Sequence, residues 1–122
     1  MSLDDTTPEV TAEEITTLYE RLKKIQEPKG YFFNKDERMT KMLLEQLLIN
    51  RKTLTYMACP CRLANGTITD DHDIICPCEY RAADVEEFGA CFCGLYVTKE
   101  WNEGTVPHQK VPERRPPEKI LF

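Results

Sequence analysis

The chain has 122 residues, of which 41% are hydrophobic and 30% are charged, and this composition predicts one small globular domain. Its formal net charge of −5 argues against nucleic-acid binding, which needs a basic surface. No apolar run is long enough for a transmembrane helix, and the acidic N-terminus lacks the apolar core of a secretory signal. We therefore expect a cytoplasmic protein that binds neither nucleic acid nor a membrane.

The first predicted helix follows a polar N-terminal segment, residues 1–10, which we expect to be mobile. Thr11 and Glu14 have the spacing of a capping box. Apolar residues recur behind them at helical spacing: Ile15, Leu18, Tyr19, Leu22 and Ile25. The pattern predicts a helix from about Thr11 to Glu27, ended by the proline and glycine that follow.

A second helix is predicted from Asp36 to about Asn50, with Asn34 or Asp36 as its N-cap. Arg51 and Lys52 near its end suit the negative pole of the helix dipole. Its apolar residues form a wide face: Met39, Met42, Leu43, Leu44, Leu47, Leu48 and Ile49. A face this wide favours a helix that is covered on more than one side.

A third helix is predicted over residues 80–88, and Gly89 would end it. We expect Asp84 and Glu87 to cap its last turns. The segment 95–97 is compatible with a short strand or with a helical turn, and its pattern does not decide between them.

The last part of the chain, residues 107–122, is rich in proline and favours an extended path. It could be an ordered strap or a mobile tail, and the basic pair Arg114–Arg115 could dock an acidic partner. We therefore divide the chain into the N-terminal segment, a domain over residues 11–106, and this tail.

All six cysteines lie in three Cys-X-Cys pairs within one segment of the chain. The pairs are Cys59 and Cys61, Cys76 and Cys78, and Cys91 and Cys93. Cysteines scattered by chance would spread over the whole chain. This grouping indicates that the thiols act together, on a metal, on each other, or on both.

Three interpretations of the six thiols compete. A structural zinc site uses four ligands and prefers Cys-X2-Cys pairs, which this chain lacks. Three structural disulfides are disfavoured in a reducing cytosol. An iron–sulfur cluster held by four thiolates, with the other two cysteines as a redox-active pair, uses every thiol. Spacing alone leaves open which four would bind iron.

The three ordered pairs and their flanking residues resemble the catalytic subunit of ferredoxin–thioredoxin reductase. The resemblance covers roughly residues 12–100, and the lengths of the loops between the pairs suggest a bacterial or archaeal branch, a ferredoxin–disulfide reductase. The flanking segments that carry it are Gly30-Tyr31-Phe32-Phe33-Asn34, Cys59-Pro60-Cys61-Arg62-Leu63-Ala64, Asp73-Ile74-Ile75-Cys76-Pro77-Cys78, Tyr80-Arg81 and Gly89-Ala90-Cys91.

The resemblance implies a small, mainly α-helical domain with irregular loops, organised around a [4Fe-4S] cluster. Its catalytic iron–sulfur domain would be residues 11–106. The cluster ligands would be Cys59, Cys76, Cys78 and Cys91. Cys61 and Cys93 would form the redox-active disulfide.

The activity implied by the resemblance is transfer of electrons from ferredoxin, through the cluster, to the Cys61–Cys93 disulfide. Cys61 would then attack the disulfide of a thioredoxin-like partner, and Cys93 would resolve the mixed disulfide. Arg62 could lower the pKa of Cys61, or it could simply face solvent. Some family members also work with a second, noncatalytic subunit.

The chain departs from the family at Phe92, where the third pair usually encloses a histidine implicated in proton handling. The chain has only two histidines, His72 and His108. His72 lies between the first two cysteine pairs and is the better candidate for that task. An uninvolved, exposed loop histidine is the simpler interpretation of His72.

Two other functions remain open on the sequence. The protein could be a cluster-bearing electron carrier or redox sensor with no disulfide reductase activity, or it could be a zinc-stabilised interaction module. Docking of an acidic ferredoxin would need a local basic patch. Its candidate residues are Lys23, Lys24, Lys41, Arg51, Lys52, Arg114 and Arg115.

Overall fold

The computed structural model describes residues 8–121, so most of the segment that we expect to be mobile lies outside the described residues. The described chain forms a small, mainly helical domain with irregular loops. Its helices are α1 (Ala12–Gln26), α2 (Glu37–Leu54), α3 (Arg81–Phe88) and α4 (Lys99–Glu103), and its strands are β1 (Phe32–Phe33) and β2 (Tyr96–Val97). No helix within the described residues is long and apolar enough to cross a membrane.

Helix α1 begins and ends as its sequence predicts. The Thr11 side chain accepts a hydrogen bond from the backbone N–H of Glu14, and the Glu14 carboxylate accepts one from the backbone N–H of Thr11. This reciprocal capping satisfies two backbone donors that the first turn leaves free. Leu18 and Leu22 are buried against α2, whereas Ile25 at the end of the stripe is exposed.

Helix α2 begins as predicted, with Asp36 as its N-cap, but it extends one turn beyond the expected end. Nothing in residues 51–54 stops a helix, and it ends where Thr55 adopts a left-handed conformation with φ of 75°. Its buried side chains are Thr40, Leu43, Leu44, Leu47 and Leu48. Met42 is exposed, so the apolar face is narrower than the sequence suggests.

Helix α3 ends at Gly89 as predicted, but the expected capping by Asp84 and Glu87 is wrong. Asp84 lies in the first turn, and its side chain is fully buried. Arg114, from the C-terminal tail, hydrogen-bonds Asp84 at 2.5 Å and also pairs with Glu87. Both carboxylates therefore hold the tail and do not cap the helix.

The segment 95–97, which the sequence leaves undecided, contains a strand. Antiparallel pairing of β1 with β2 places Phe32 opposite Val97 and Phe33 opposite Tyr96. The rings of Phe33 and Tyr96 stack with centroids 5.6 Å apart. This pairing joins the segment between α1 and α2 to the segment that follows the last cysteine pair.

The tail is attached to the domain through arginines, and this overturns the expectation that Arg114 and Arg115 could dock an acidic partner. The Arg115 side chain is only 1% exposed, and it is paired with Asp71 and Asp73. Arg114 is paired with two carboxylates of α3. The Arg115 charge is neutralised inside the molecule and is not available to a partner, whereas Arg114 is partly exposed but already paired.

Candidate functional site

The first two cysteine pairs are brought side by side by backbone hydrogen bonds. The Cys59 N–H donates to the Ile74 carbonyl at 2.8 Å, and the Cys76 N–H donates to the Met57 carbonyl at 2.8 Å. These two bonds join the chain that leaves α2 to the chain that enters the second pair. The thiols of the two pairs therefore meet although a long loop separates them.

The third pair lies on a turn closed by β2. The Cys91 N–H donates to the Tyr96 carbonyl at 2.9 Å, and the Gly94 N–H donates to the Cys91 carbonyl at 2.9 Å. Gly94 has φ of +79°, and a Cβ there would lie 2.8 Å from Cε of Met39. The positive φ favours glycine here, and a larger residue would also displace the end of the Met39 side chain.

Five of the six cysteines line one narrow cavity. Its walls are formed by Cys59, Arg62, Cys76, Pro77, Cys78, Arg81, Cys91, Phe92, Cys93 and Tyr96. The sixth cysteine, Cys61, is exposed. The fold thus separates one accessible thiol from five that face a common space, which we call the thiol cavity.

Cys93 lies at the centre of the thiol group. Its sulfur is 3.7 Å from that of Cys91. Contacts with the thiols of Cys59, Cys61 and Cys91, together with burial, raise the pKa of Cys93 well above its ordinary value. Cys93 therefore connects the exposed Cys61 to two buried cysteines.

The same contacts favour the thiolate forms of the neighbours. Hydrogen bonding from Cys93 lowers the pKa of Cys59 to about 7 and that of Cys91 to about 6, and it also lowers the pKa of Cys61. Burial raises the pKa values of Cys76 and Cys78 instead. A thiolate is the form that attacks a disulfide or binds a metal.

Arg62 faces the thiols, and this excludes the interpretation in which it points to solvent. Its Nη1 lies 3.5 Å from the sulfurs of both Cys59 and Cys78, and its Nε and Nη2 donate to Glu113 at 2.7–3.0 Å. Burial alone would lower the pKa of Arg62, but Glu113 and the two cysteines raise it above its ordinary value. Arg62 is a fixed positive charge at the cavity wall.

A second cation, Arg81, stands on another side of the cavity. Its Nη1 donates to the Gln26 side chain at 2.8 Å, and its guanidinium lies 3.8 Å from the centroid of the Tyr31 ring. No carboxylate is among the described residues that line the cavity. Two guanidinium groups and five thiols give a wall suited to a group of negative charge.

The described residues fit an iron–sulfur cluster by their chemistry. Soft thiolate ligands favour iron–sulfur binding, and Tyr96 Oη is buried at the cavity wall with no hydrogen-bond partner among the described residues. A sulfur in the cavity would satisfy that donor. Within residues 8–121, no three His, Cys, Asp or Glu side chains are arranged to hold a single metal ion.

The two histidines lie away from the thiol cavity. The His72 side chain is 78% exposed, with Nδ1 3.6 Å from Glu79. His108 stacks on Trp101 with ring centroids 3.6 Å apart. Phe92 lines the cavity and lies under Arg62, whose Cζ is 4.5 Å from the ring centroid. Proton handling by His72 therefore has no support from its position.

Sequence reasoning identified all the cysteines but missed Arg81, Tyr96 and Glu113. Tyr80-Arg81 carries part of the family resemblance, but nothing in the sequence marks Arg81 or Tyr96 as a cavity residue, although each lies only three positions after a cysteine. Glu113 has no such signal, because it reaches the site across a long sequence separation. It contacts a side chain 51 positions away. Its position in a charged, proline-rich tail was the only signal that could have drawn attention to it.

Comparison with known proteins agrees with the resemblance drawn from the cysteine pairs. Residues 8–115 match the family model described as "Ferredoxin thioredoxin reductase catalytic beta chain". No curated protein matches the chain. The matched range includes all three cysteine pairs, Arg62 and the tail residues that contact the site, and it confirms the resemblance at the level of the family.

Proposed function

Because the chain belongs to the ferredoxin thioredoxin reductase catalytic beta chain family, we propose that it is a ferredoxin-dependent reductase of protein disulfides. The family name describes an oxidoreductase that acts between ferredoxin and thioredoxin. The observation that carries the proposal for this chain is the position of Cys93. Its sulfur lies 3.7 Å from that of the buried Cys91, and its interaction with the exposed Cys61 is reflected in the shifted pKa of both thiols.

Proteins of this family carry an iron–sulfur cluster, and we propose a [4Fe-4S] type here. Cys59, Cys76, Cys78 and Cys91 would hold it; all four line the thiol cavity. When bound, the cluster supplies one-electron transfer chemistry. Arg62 and Arg81 balance the negative charge of the thiolates, and Tyr96 Oη is placed to donate a hydrogen bond into the cavity.

Cys61 and Cys93 form the proposed redox-active pair. Cys61 is exposed and can reach the disulfide of another protein, whereas Cys93 is buried and can reach only its neighbours. The contact with Cys93 lowers the pKa of Cys61 and so increases its thiolate fraction. An accessible attacking thiol beside a buried resolving thiol is the arrangement that disulfide exchange needs.

The reaction transfers two electrons and two protons. The Cys61 thiolate attacks one sulfur of the target disulfide; a Cys61–target bond forms, the target bond breaks, and the departing sulfur takes a proton. Cys93 then loses its proton and attacks the Cys61 sulfur; the Cys61–Cys93 bond forms, the Cys61–target bond breaks, and the second target sulfur leaves and takes up a proton. Two electrons, one from each of two ferredoxins, and two protons return the Cys61–Cys93 disulfide to thiols.

Protons for this cycle would come from water at Cys61. Phe92 cannot exchange a proton, and its ring instead packs on the guanidinium of Arg62. The exposed position of Cys61 gives solvent direct access to the attacking sulfur.

The proposed partners follow from the reaction. Ferredoxin is the electron donor, a thioredoxin-like protein is the substrate, and a noncatalytic subunit is a possible third component. The proposal also includes a cytoplasmic location, where free thiols persist.

The test measures reduction of thioredoxin by chemically reduced ferredoxin, with anaerobically purified protein and with matched cysteine variants. We expect Cys61→Ser to keep its iron and lose turnover, because it lacks only the attacking thiol. We expect Cys76→Ser to lose iron, because one ligand is gone. Unchanged turnover in Cys61→Ser would overturn the proposed pair, and a full iron content in Cys76→Ser would overturn the ligand set. An iron-loaded wild type that never reduces thioredoxin would instead be an electron carrier or sensor.

A further inference from the structure

The Arg62 guanidinium is held between two sulfurs and one carboxylate. Nη1 faces the sulfurs of Cys59 and Cys78 at 3.5 Å each, and the opposite edge makes a two-pronged contact with Glu113 at 2.7–3.0 Å. The Arg62 side chain is only 2% exposed. A planar guanidinium bound along one edge in this way has a fixed orientation, so the other edge must face the thiols.

Aromatic rings confine the same guanidinium on its faces. Its Cζ lies 4.5 Å from the Phe92 ring centroid and 5.2 Å from that of Tyr80. The Tyr80 hydroxyl donates to Asp73 at 2.6 Å, which fixes the position of that ring. These contacts leave the carboxylate of Glu113 as the only hydrogen-bonding group, among the described residues, that anchors Arg62 from the side away from the thiols.

Glu113 is itself held in place by the buried end of the tail. Its Oε1 accepts a hydrogen bond from the backbone N–H of Arg115 at 2.9 Å. The Arg115 side chain donates to Asp73 at 2.9 and 3.1 Å, and it also contacts Asp71 and the carbonyl of Asp70. The tail therefore reaches the thiol site through a connected chain of contacts.

We propose that Glu113 is a positioning residue that holds Arg62 against the sulfurs of Cys59 and Cys78, and that this contact raises the reduction potential of the metal centre. The inference rests on the proposed function, because it assumes that those two cysteines bind the centre. Hydrogen bonds and positive charge at ligand sulfurs stabilise the more negative, reduced state, and this raises the potential. The C-terminal tail is then a functional part of the site.

The two possible roles of Glu113 have opposite signs. If Glu113 acts only through its negative charge, its removal makes the surroundings more positive and raises the potential. If it acts by holding Arg62, its removal lets the guanidinium turn away from the sulfurs and lowers the potential. The sign of the change in reduction potential in Glu113→Ala therefore distinguishes a positioning role from a purely electrostatic one.

The test is a spectroscopically monitored redox titration of the iron-loaded wild type, Arg62→Gln, Glu113→Ala and the double variant. We expect Arg62→Gln to lower the ratio of reduced to oxidised centre about tenfold at a given solution potential, which is about 59 mV for a one-electron couple. Glu113→Ala should shift the potential in the same direction by a smaller amount. The double variant should match Arg62→Gln, because Glu113 acts through Arg62.

Two further variants act as controls. Glu118→Ala removes a nearby carboxylate of the tail that has no contact with Arg62 among the described residues, and it should leave the potential unchanged. Glu113→Gln keeps an oxygen acceptor for the guanidinium and should shift the potential less than Glu113→Ala. If Glu113→Ala does not fold, Glu113→Gln tests the same role. Iron content and circular dichroism show whether each variant is folded.

A potential that rises or stays constant in Glu113→Ala would overturn the positioning role, and an unchanged potential in Arg62→Gln would overturn the whole inference. These results differ from failure of the proposed function. A wild type that holds no iron would overturn both proposals. A wild type that holds iron and reduces thioredoxin, but whose variants keep its potential, would overturn this inference alone.

Discussion

The two halves of the molecule are stabilised in different ways. Residues 12–54 contain α1 and α2, whose buried leucines pack against each other. Residues 55–121 hold mostly short elements joined by irregular loops, and they bury charged side chains: Arg62, Asp71, Asp73, Asp84 and Arg115. Both halves contribute buried apolar side chains to one core, but within the described residues the ion pairs with a buried member all lie in the second half.

The difference matters because the thiols lie in the second half. An apolar core tolerates rearrangement of similar side chains, whereas a buried ion pair fails when one partner is removed. The hydrogen-bonded ion pair between Asp73 and Arg115 attaches the tail to the loop between the first two cysteine pairs. The polar network gives the thiol cavity a defined geometry that the short elements alone could not impose.

Removal of Arg115 tests the role of the buried ion pairs and should have the largest effect. We expect Arg115→Ala to lower the free energy of unfolding by about 3–5 kcal/mol, because it leaves two buried carboxylates without their cation. Chemical denaturation measures the change. Lys41→Ala is the control, since Lys41 forms only an exposed pair with Glu37 and should change stability little. Equal effects of the two variants would contradict the importance of the buried network.

Truncation of Leu47 tests the apolar half. Leu47 is fully buried in α2, and we expect Leu47→Ala to lower the free energy of unfolding by about 2–5 kcal/mol through lost burial and a cavity. Its effect on the thiols should be indirect, so iron content per folded molecule should stay close to that of the wild type. Loss of iron without a fall in the free energy of unfolding would contradict this separation between the leucine core and the thiol site.

Acid should weaken the buried ion pairs of residues 55–121 before it affects the apolar core. Burial alone would raise the pKa values of Asp71 and Asp73, but hydrogen bonds from Tyr56 to Asp71 and from Arg115 to both hold them below their ordinary values. A lowered folded-state pKa contributes stability that is present above the unfolded pKa, near 4, and is lost as the pH falls through the folded pKa. Urea unfolding from pH 6 down to pH 2 should therefore show falling stability below about pH 4.

Asp71→Asn provides the control for the acid experiment. This variant removes one of the two titrating carboxylates, so its stability should be lower at pH 6 but should depend less on pH below 4. A parallel decline in the variant and the wild type would show that other groups cause the acid loss.

The smallest expected effect comes from one hydroxyl group. Tyr96 Oη has no partner among the described residues, so Tyr96→Phe should not destabilise the metal-free protein. If the hydroxyl donates to a sulfur of the bound centre, its loss costs about 1 kcal/mol and releases iron to a chelator about fivefold faster. Tyr31→Phe is the matched control, because that ring packs on Arg81 and does not line the cavity. Equal iron release in both variants would contradict a role for Tyr96.

Much of the helical half could be predicted from sequence, since its signals are local. The capping box at Thr11 and the N-cap at Asp36 are as predicted, and the leucine pattern placed most of the core residues correctly. The error at the end of α2 arose because no residue between Asn50 and Leu54 breaks a helix. Asp84 was misinterpreted as a cap because a carboxylate near a helix end looks the same whether it meets a backbone N–H or a distant arginine.

The sequence by itself predicted that the six thiols belong to one site, because their paired spacing is visible without a fold. The family match confirms the resemblance drawn from the cysteine pairs and their flanking residues. Only the tertiary structure decided that Cys93 lies between the exposed and the buried thiols and that Arg62 faces the thiols. It also decided that the tail is bound through Glu113 and Arg115. Such contacts depend on where distant side chains meet, and hydrophobic periodicity carries no information about buried charge pairs.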